Sequence, residues 1–362
     1  MLLDDRINQL AEKVLKYSLN LKKGERIYIE TFGNSTHDML RALIQTSAKI
    51  GAVPFYYFND DSYTCAFLSQ ASEAQIKALG DIHQHLMAQC DAYVAVRGKD
   101  DVFALSDISD KKLALYRKHY LQPVHSQTRV PQTRWCVLRY PNTAMAALSR
   151  MSLKQFEDFY FDACLVDYKK MEKELTPLKK LMDKTDKVRI IAPGTDVSFS
   201  IKNIGSVICC GHRNIPDGEV YTAPVKNSVN GVVQFNTDTT YNGTFFSNIR
   251  LVFQNGKIIE ASSLVNNDKF QKILNQDEGA RYLGEFSFGT NPFIQKPILD
   301  ILFDEKINGS FHMAIGNAYD ETDNGNRSAI HWDLVQIQTP QNGGGEIWFD
   351  GKLVRKDGKI LL

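Results

Sequence analysis

The chain is predicted to fold as an α/β domain over residues 1–185, followed by a mainly β, barrel-like domain over residues 186–362. Three observations support this reading. The 362 residues exceed what one small core needs, and 43% hydrophobic with 23% charged residues suits a packed, solvated protein. Helical and extended patterns alternate through the first half. Beyond residue 185 short extended segments replace them, which marks a change of class.

Ile7, Leu10, Val14 and Leu15 recur at helical spacing, and Gly24 then precedes the β-rich run Arg26 to Glu30. Ser35-Thr36-His37-Asp38 has capping-box spacing ahead of Met39, Leu40, Leu43 and Ile44, and Gly51 stands where that helix should end. Further strands are expected at Val53 to Phe58, Tyr93 to Val96 and Trp135 to Tyr140, with a helix at Leu153 to Cys164. Such alternation predicts a Rossmann-like layered sheet, largely parallel. No glycine fingerprint follows its first strand, so a dinucleotide site is not expected.

Met171, Leu175, Leu178 and Met182 form one helical stripe, in which Pro177 should kink the helix or restart it with Thr176 as cap. The domain boundary is placed there. Extended segments then follow at 188–192, 197–201, 231–235, 249–253 and 346–349, and Asp350-Gly351 and Asp357-Gly358 read as hairpin turns.

Forty-three Lys and Arg against forty-two Asp and Glu leave a formal charge of +1, so no global field favours nucleic acid or an anionic membrane. Six scattered cysteines show neither zinc-ribbon spacing nor a disulfide framework, which fits reduced thiols in a cytoplasmic protein. No signal-peptide pattern opens the chain, and no apolar run approaches the length of a membrane span.

Several residues can carry chemistry. In Ser328-Ala329-Ile330-His331-Trp332-Asp333, His331 and Asp333 lie two apart on an expected strand and would share a face. A surface His and Asp flanking a buried Trp is the plainer alternative. A turn precedes Glu219, where Asp217 and Gly218 read as ordinary turn residues. Glu285 sits among apolar and aromatic neighbours, where a carboxylate is costly unless paired with a metal, Arg or Lys. His312 is equally open to a ligand role or a hydrogen-bonded core role. Two His and three carboxylates suit a pair of divalent ions, although composition does not bring them together. HExxH, GxSxG and Walker motifs are absent.

Taken in order, these fragments resemble the thermophilic-type metallo-aminopeptidase family, the group of aminopeptidases T and S. The resemblance runs through Gly194 to Phe199, Asn214 to Pro224, Asp277 to Glu285, Leu302 to His312 and Ser328 to Val335. Upstream it includes Arg134-Trp135, Tyr140-Pro141, Ala144 to Ala146 and Asp167-Tyr168. Ile215 and Tyr221 replace the more usual Met and Phe, and the chain is short for the family before Glu219.

The resemblance implies that Glu219, Glu285, His312, His331 and Asp333 bind two divalent metal ions (zinc, cobalt or manganese). It makes the second domain catalytic, places Tyr319 near the ions, and implies short peptide substrates and a homodimer enclosing its active sites. As a separate mechanistic expectation, either Glu285 or Glu219 could carry the water's proton, with Glu285 preferred. Two other readings remain: a metallohydrolase of a non-peptide amide, and a non-catalytic peptide-binding protein with structural metals.

Overall fold

A computed structural model describes residues 4–99, 101, 104–105 and 107–362. The chain divides into two compact units, Met1–Leu165 with Gly211–Ile215, and Val166–Cys210 with Pro216–Leu362. The helix Tyr168–Met182 belongs to the second unit.

The first unit is built on a five-stranded sheet in the order Val53–Asn59, Arg26–Phe32, Ala92–Arg97, Arg134–Arg139, Asn214–Ile215. Every pairing in it is parallel. Residues Ala92 to Val96 are all buried, as expected of a strand covered on both faces. Ser72 with Gln75 and Ser152 with Gln155 form capping boxes that start the helices Glu73–Ala88 and Leu153–Cys164. The capping box expected at Ser35 does not form. The Ser35 hydroxyl donates to the Gly98 carbonyl at 3.0 Å and that of Thr36 to the Gly33 carbonyl at 2.7 Å. Gly51, at φ 82°, ends the helix His37–Ile50 in the left-handed conformation.

The second unit carries an eight-stranded and a five-stranded antiparallel sheet. Asn255-Gly256, Asp350-Gly351 and Asp357-Gly358 each hold two successive positive φ angles, the geometry of tight hairpin turns. The pairings establish sheets but do not support the expected barrel closure, since among the described residues neither order returns to its first strand. Tyr168–Met182 is one helix, capped by Asp167 and continuous through Pro177. The Thr176 hydroxyl donates to Glu172 O at 2.7 Å instead of capping a new helix.

The five-stranded sheet runs His331–Ile337, Ser310–Gly316, Leu283–Gly289, Glu219–Thr222, Val207–Cys209. Its apolar face carries Phe286, Phe288, Phe311, Met313 and Leu334, all buried. Phe286 packs edge-on against Phe199 of the eight-stranded sheet, with ring centroids 5.1 Å apart. Period-two alternation therefore turns Glu285, Ser287, His312, Ala314, His331 and Asp333 to the opposite face. Among the described residues, no helix is long and apolar enough to cross a membrane.

Candidate metal centre

Register brings the polar side chains together. Glu285 faces Ala314, which faces Asp333. Ser287 faces His312 on one side and Tyr221 on the other, Gly316 faces His331, and Gly289 faces Glu219. Directly opposed residues share a face, so four strands contribute to one patch. Gly289, Ala314 and Gly316 leave room between the longer side chains. A register shift between Leu283 and Glu285 marks a bulge that re-aims the carboxylate. At Gly284 an added Cβ would overlap the Asn317 carbonyl, so only glycine fits there.

The distances are short. His312 Nε2 lies 3.0 Å from Glu285 Oε1 and 3.3 Å from Glu219 Oε2. His331 Nε2 lies 3.5 Å from both Glu285 Oε2 and Asp333 Oδ1. Ligand-type atoms converge within 4.8 Å of one another in Glu219, Glu285 and His312, and again in Glu285, His331 and Asp333. Glu285 belongs to both groups. Further groups join Glu305 to His312 and Asp333, and Cys209 to Asp217 and Glu219.

The histidine tautomers follow from backbone geometry. His312 Nδ1 lies 3.0 Å from Glu305 O and His331 Nδ1 lies 2.8 Å from Asn317 O. A carbonyl only accepts, so each Nδ1 carries the proton and donates. In a neutral imidazole, Nε2 is then a lone pair turned toward carboxylate oxygens, a repulsive arrangement unless a cation or a second proton lies between. His331 Nε2 is buried with no hydrogen-bond partner. The donor set and this orphaned nitrogen fit a divalent ion held by imidazole nitrogen and carboxylate oxygen.

Charge reinforces the point. Burial opposes the charged form of each histidine, yet Glu285, Glu219 and Asp333 hold the His312 pKa up to about 9, and Asp333 and Glu285 hold that of His331 well above the usual imidazole range. Burial likewise opposes ionisation of Glu285 and Asp333, but the imidazoles keep both below the ordinary carboxylate range. Burial pushes Glu305 up to about 8, against the pull of Lys306. The basin thus gathers protons when no other cation is at hand.

Lys306, Glu305, Asp217 and Cys209 were not singled out by sequence reasoning. Lys306, 1% exposed, reaches Glu219 Oε1 and Glu305 Oε1 at 2.6 Å each, and Asp217 Oδ1 at 3.8 Å. Asp217 was read as a turn residue, and its carboxylate does accept from Gly218 N at 2.9 Å, but it is buried. The detectable signal was the cation within Asp304-Glu305-Lys306, six residues before His312. Tyr319 is 45% exposed and lays its ring against His331, with centroids 4.6 Å apart.

Fold and site together define an α/β unit joined to a mainly β unit whose clustered histidines and carboxylates could hold divalent metal. The thermophilic metalloprotease (M29) profile matches residues 3–348, and the chain belongs to that family of metal-dependent peptidases. Aminopeptidase 2 of Geobacillus stearothermophilus is 22% identical over 98% of this chain and 95% of its own length. Aminopeptidase T of Thermus thermophilus is 26% identical over 91% of each chain. Aminopeptidase AmpS of Bacillus subtilis is 35% identical over 158 residues, 40% of this chain and 38% of that protein.

Among solved structures, wild-type AmpT from Thermus thermophilus superposes with a TM-score of 0.83 at 21% identity, covering 99% of both chains. A 2,5-dihydroxypyridine dioxygenase from Pseudomonas putida shares the fold at a TM-score of 0.62 and 13% identity, covering 100% of this chain and 98% of its own. One fold thus accompanies different chemistries, and function must be argued from the site.

Proposed function

We propose that this protein is an aminopeptidase that removes the N-terminal residue of short peptides with two divalent metal ions. Glu219, Glu285 and His312 would hold one ion and Glu285, His331 and Asp333 the other, with Glu285 common to both groups. The observation that carries this reading is the pair of imidazole Nε2 atoms turned toward carboxylates while each Nδ1 is committed to a carbonyl. The carboxylates of Asp217, Glu219, Glu285, Glu305 and Asp333 outnumber the Lys306 ammonium beside them, which favours added cations.

When bound, such ions lower the pKa of a water and polarise the scissile carbonyl. The protein's own groups orient and move protons. Glu285 accepts the water's proton and returns it to the leaving amine, which requires one of its oxygens to turn away from an imidazole. Glu305, whose carboxyl is held up to about 8 by burial, is a second candidate for this transfer. The Tyr319 hydroxyl donates to the carbonyl oxygen as negative charge develops on it.

Stripping the protein with chelator and titrating it with zinc, cobalt or manganese tests the reading. Hydrolysis of an aminoacyl chromogenic amide should return in proportion to metal bound and saturate at two equivalents. Saturation at one equivalent, or full activity without metal, would remove the dinuclear site.

A further inference from the structure

The cluster of Cys209, Asp217 and Glu219 has the spacing of a metal site. Its thiol belongs to the residue directly opposite Glu219 in the sheet. Yet this cluster is already served by a cation of the protein itself. Lys306 Nζ stands 2.6 Å from Glu219 Oε1, 3.8 Å from Asp217 Oδ1 and 2.6 Å from Glu305 Oε1. Its backbone is equally committed, since Lys306 N donates to Phe303 O at 2.9 Å and Lys306 O accepts from Asn291 N at 3.0 Å. The side chain is therefore anchored at its base and held at its tip.

Glu219 is divided between two environments. Oε1 is bound to Lys306, while Oε2 accepts from the Ser287 hydroxyl at 3.1 Å and lies 3.3 Å from His312 Nε2. Only Oε2 is turned toward the imidazole.

We propose that Lys306 is a built-in cation that fills a third ion position among Cys209, Asp217, Glu219 and Glu305, restricting Glu219 to one-oxygen binding of the neighbouring metal. Lys306 is thus a positioning residue, acting through Glu219. It keeps the Cys209 thiol from becoming a ligand and confines exchangeable metal to the groups that share Glu285. The proposal rests on the dinuclear reading above. Thiolate ligation would draw soft metals away from the histidines, since sulfur prefers them.

The test compares wild type, Lys306→Met, Lys306→Arg and the Lys306→Met/Cys209→Ala double variant, each stripped and reloaded with cobalt(II). Metal is counted by atomic emission, and near-ultraviolet absorbance reports cobalt–thiolate charge transfer. Wild type and Lys306→Arg should bind two ions without a thiolate band. Lys306→Met should gain a third equivalent and the band, and the double variant should lose the band. The affinity of the ion on Glu219 should fall roughly 10–100-fold in Lys306→Met, as for other residues that orient a metal ligand, with kcat reduced more than KM is changed.

A Lys306→Met protein matching wild type in metal count, spectrum and kcat overturns the proposal while leaving the dinuclear reading intact. Failure of wild type itself to bind cobalt overturns both. Should Lys306→Met not fold, Lys306→Arg remains decisive, because a third ion or a thiolate band in a variant that keeps the charge contradicts the proposal.

Discussion

His312 and Glu285 meet at 3.0 Å through Nε2 and Oε1, from the same face of two adjacent strands. Ala314, not a larger residue, faces Glu285, and a register shift between Leu283 and Glu285 immediately precedes the carboxylate. His312 cannot turn away, as its Nδ1 is held by Glu305 O at 3.0 Å. Geometry, not composition, makes these two residues a candidate pair of ligands.

Replacing Glu285 by Gln should lower kcat/KM by roughly 10³-fold or more, since it removes both a shared ligand and the proposed proton carrier. Bound metal should fall below two equivalents, with the far-ultraviolet dichroism unchanged. Retention of two ions and of turnover would exclude Glu285 from the centre.

The metal-free protein should lose stability toward alkaline pH. His312 has a folded pKa of about 9 against an ordinary imidazole value of about 6.5, so its contribution is complete below about 6.5 and vanishes as pH rises through about 9. Glu305, raised to about 8, acts in the same direction from its ordinary value of about 4.3 upward. Asp333 is depressed, so its contribution is present above about 3.9 and is lost as pH falls through its folded value. Metal competes with the protons on these ligands. The rise in Tm on adding zinc should therefore be larger at a pH of about 8.5 than at about 6; an equal rise at both would contradict the account.

Gly284→Ala tests the bulge. The new methyl group would overlap Asn317 O and come within 2.6 Å of Gly316 O, so the backbone must shift. A cost of about 1–3 kcal/mol is expected from overpacking, together with weaker metal binding because Glu285 is the next residue. Urea unfolding and equilibrium dialysis read the two effects separately. Unchanged metal affinity despite lost stability would show that the bulge does not aim Glu285.

Tyr319→Phe keeps the ring against His331 and removes only the hydroxyl. If that hydroxyl donates to the developing oxyanion, kcat should fall roughly 10²-fold with KM nearly constant. A change in KM alone would assign Tyr319 to binding rather than to the chemical step.

The alternation of helix and strand was legible because local pattern sets it: Ile27 and Ile29, or Val94 and Val96, must be buried, and the sheet between helices follows. Turn chemistry was legible for the same reason at Asp350-Gly351 and Asp357-Gly358. Less local choices were not. Ser35 had the right spacing to cap a helix, but the Gly98 carbonyl, far along the chain, takes its hydroxyl. Pro177 sits within a helix whose burial outweighs the proline's local penalty.

At the site, the two-residue spacing of His331 and Asp333 was readable, since one strand alone sets it. The partner of Glu285 was left open between metal and basic residue, and imidazoles from two other strands are what approach it. Lys306 escaped notice because its meaning lies in Glu219, 87 residues away. Strand register decides such pairs, and register is a property of the assembled sheet.

The most direct measurement of the central claim uses metal-restored protein with paired substrates, an aminoacyl chromogenic amide and its N-acetylated form. Metal-dependent cleavage of the free-amine substrate, with the acetylated one at least about 10²-fold slower, is the predicted result. Equal cleavage of both, or cleavage that survives complete metal removal, would contradict it.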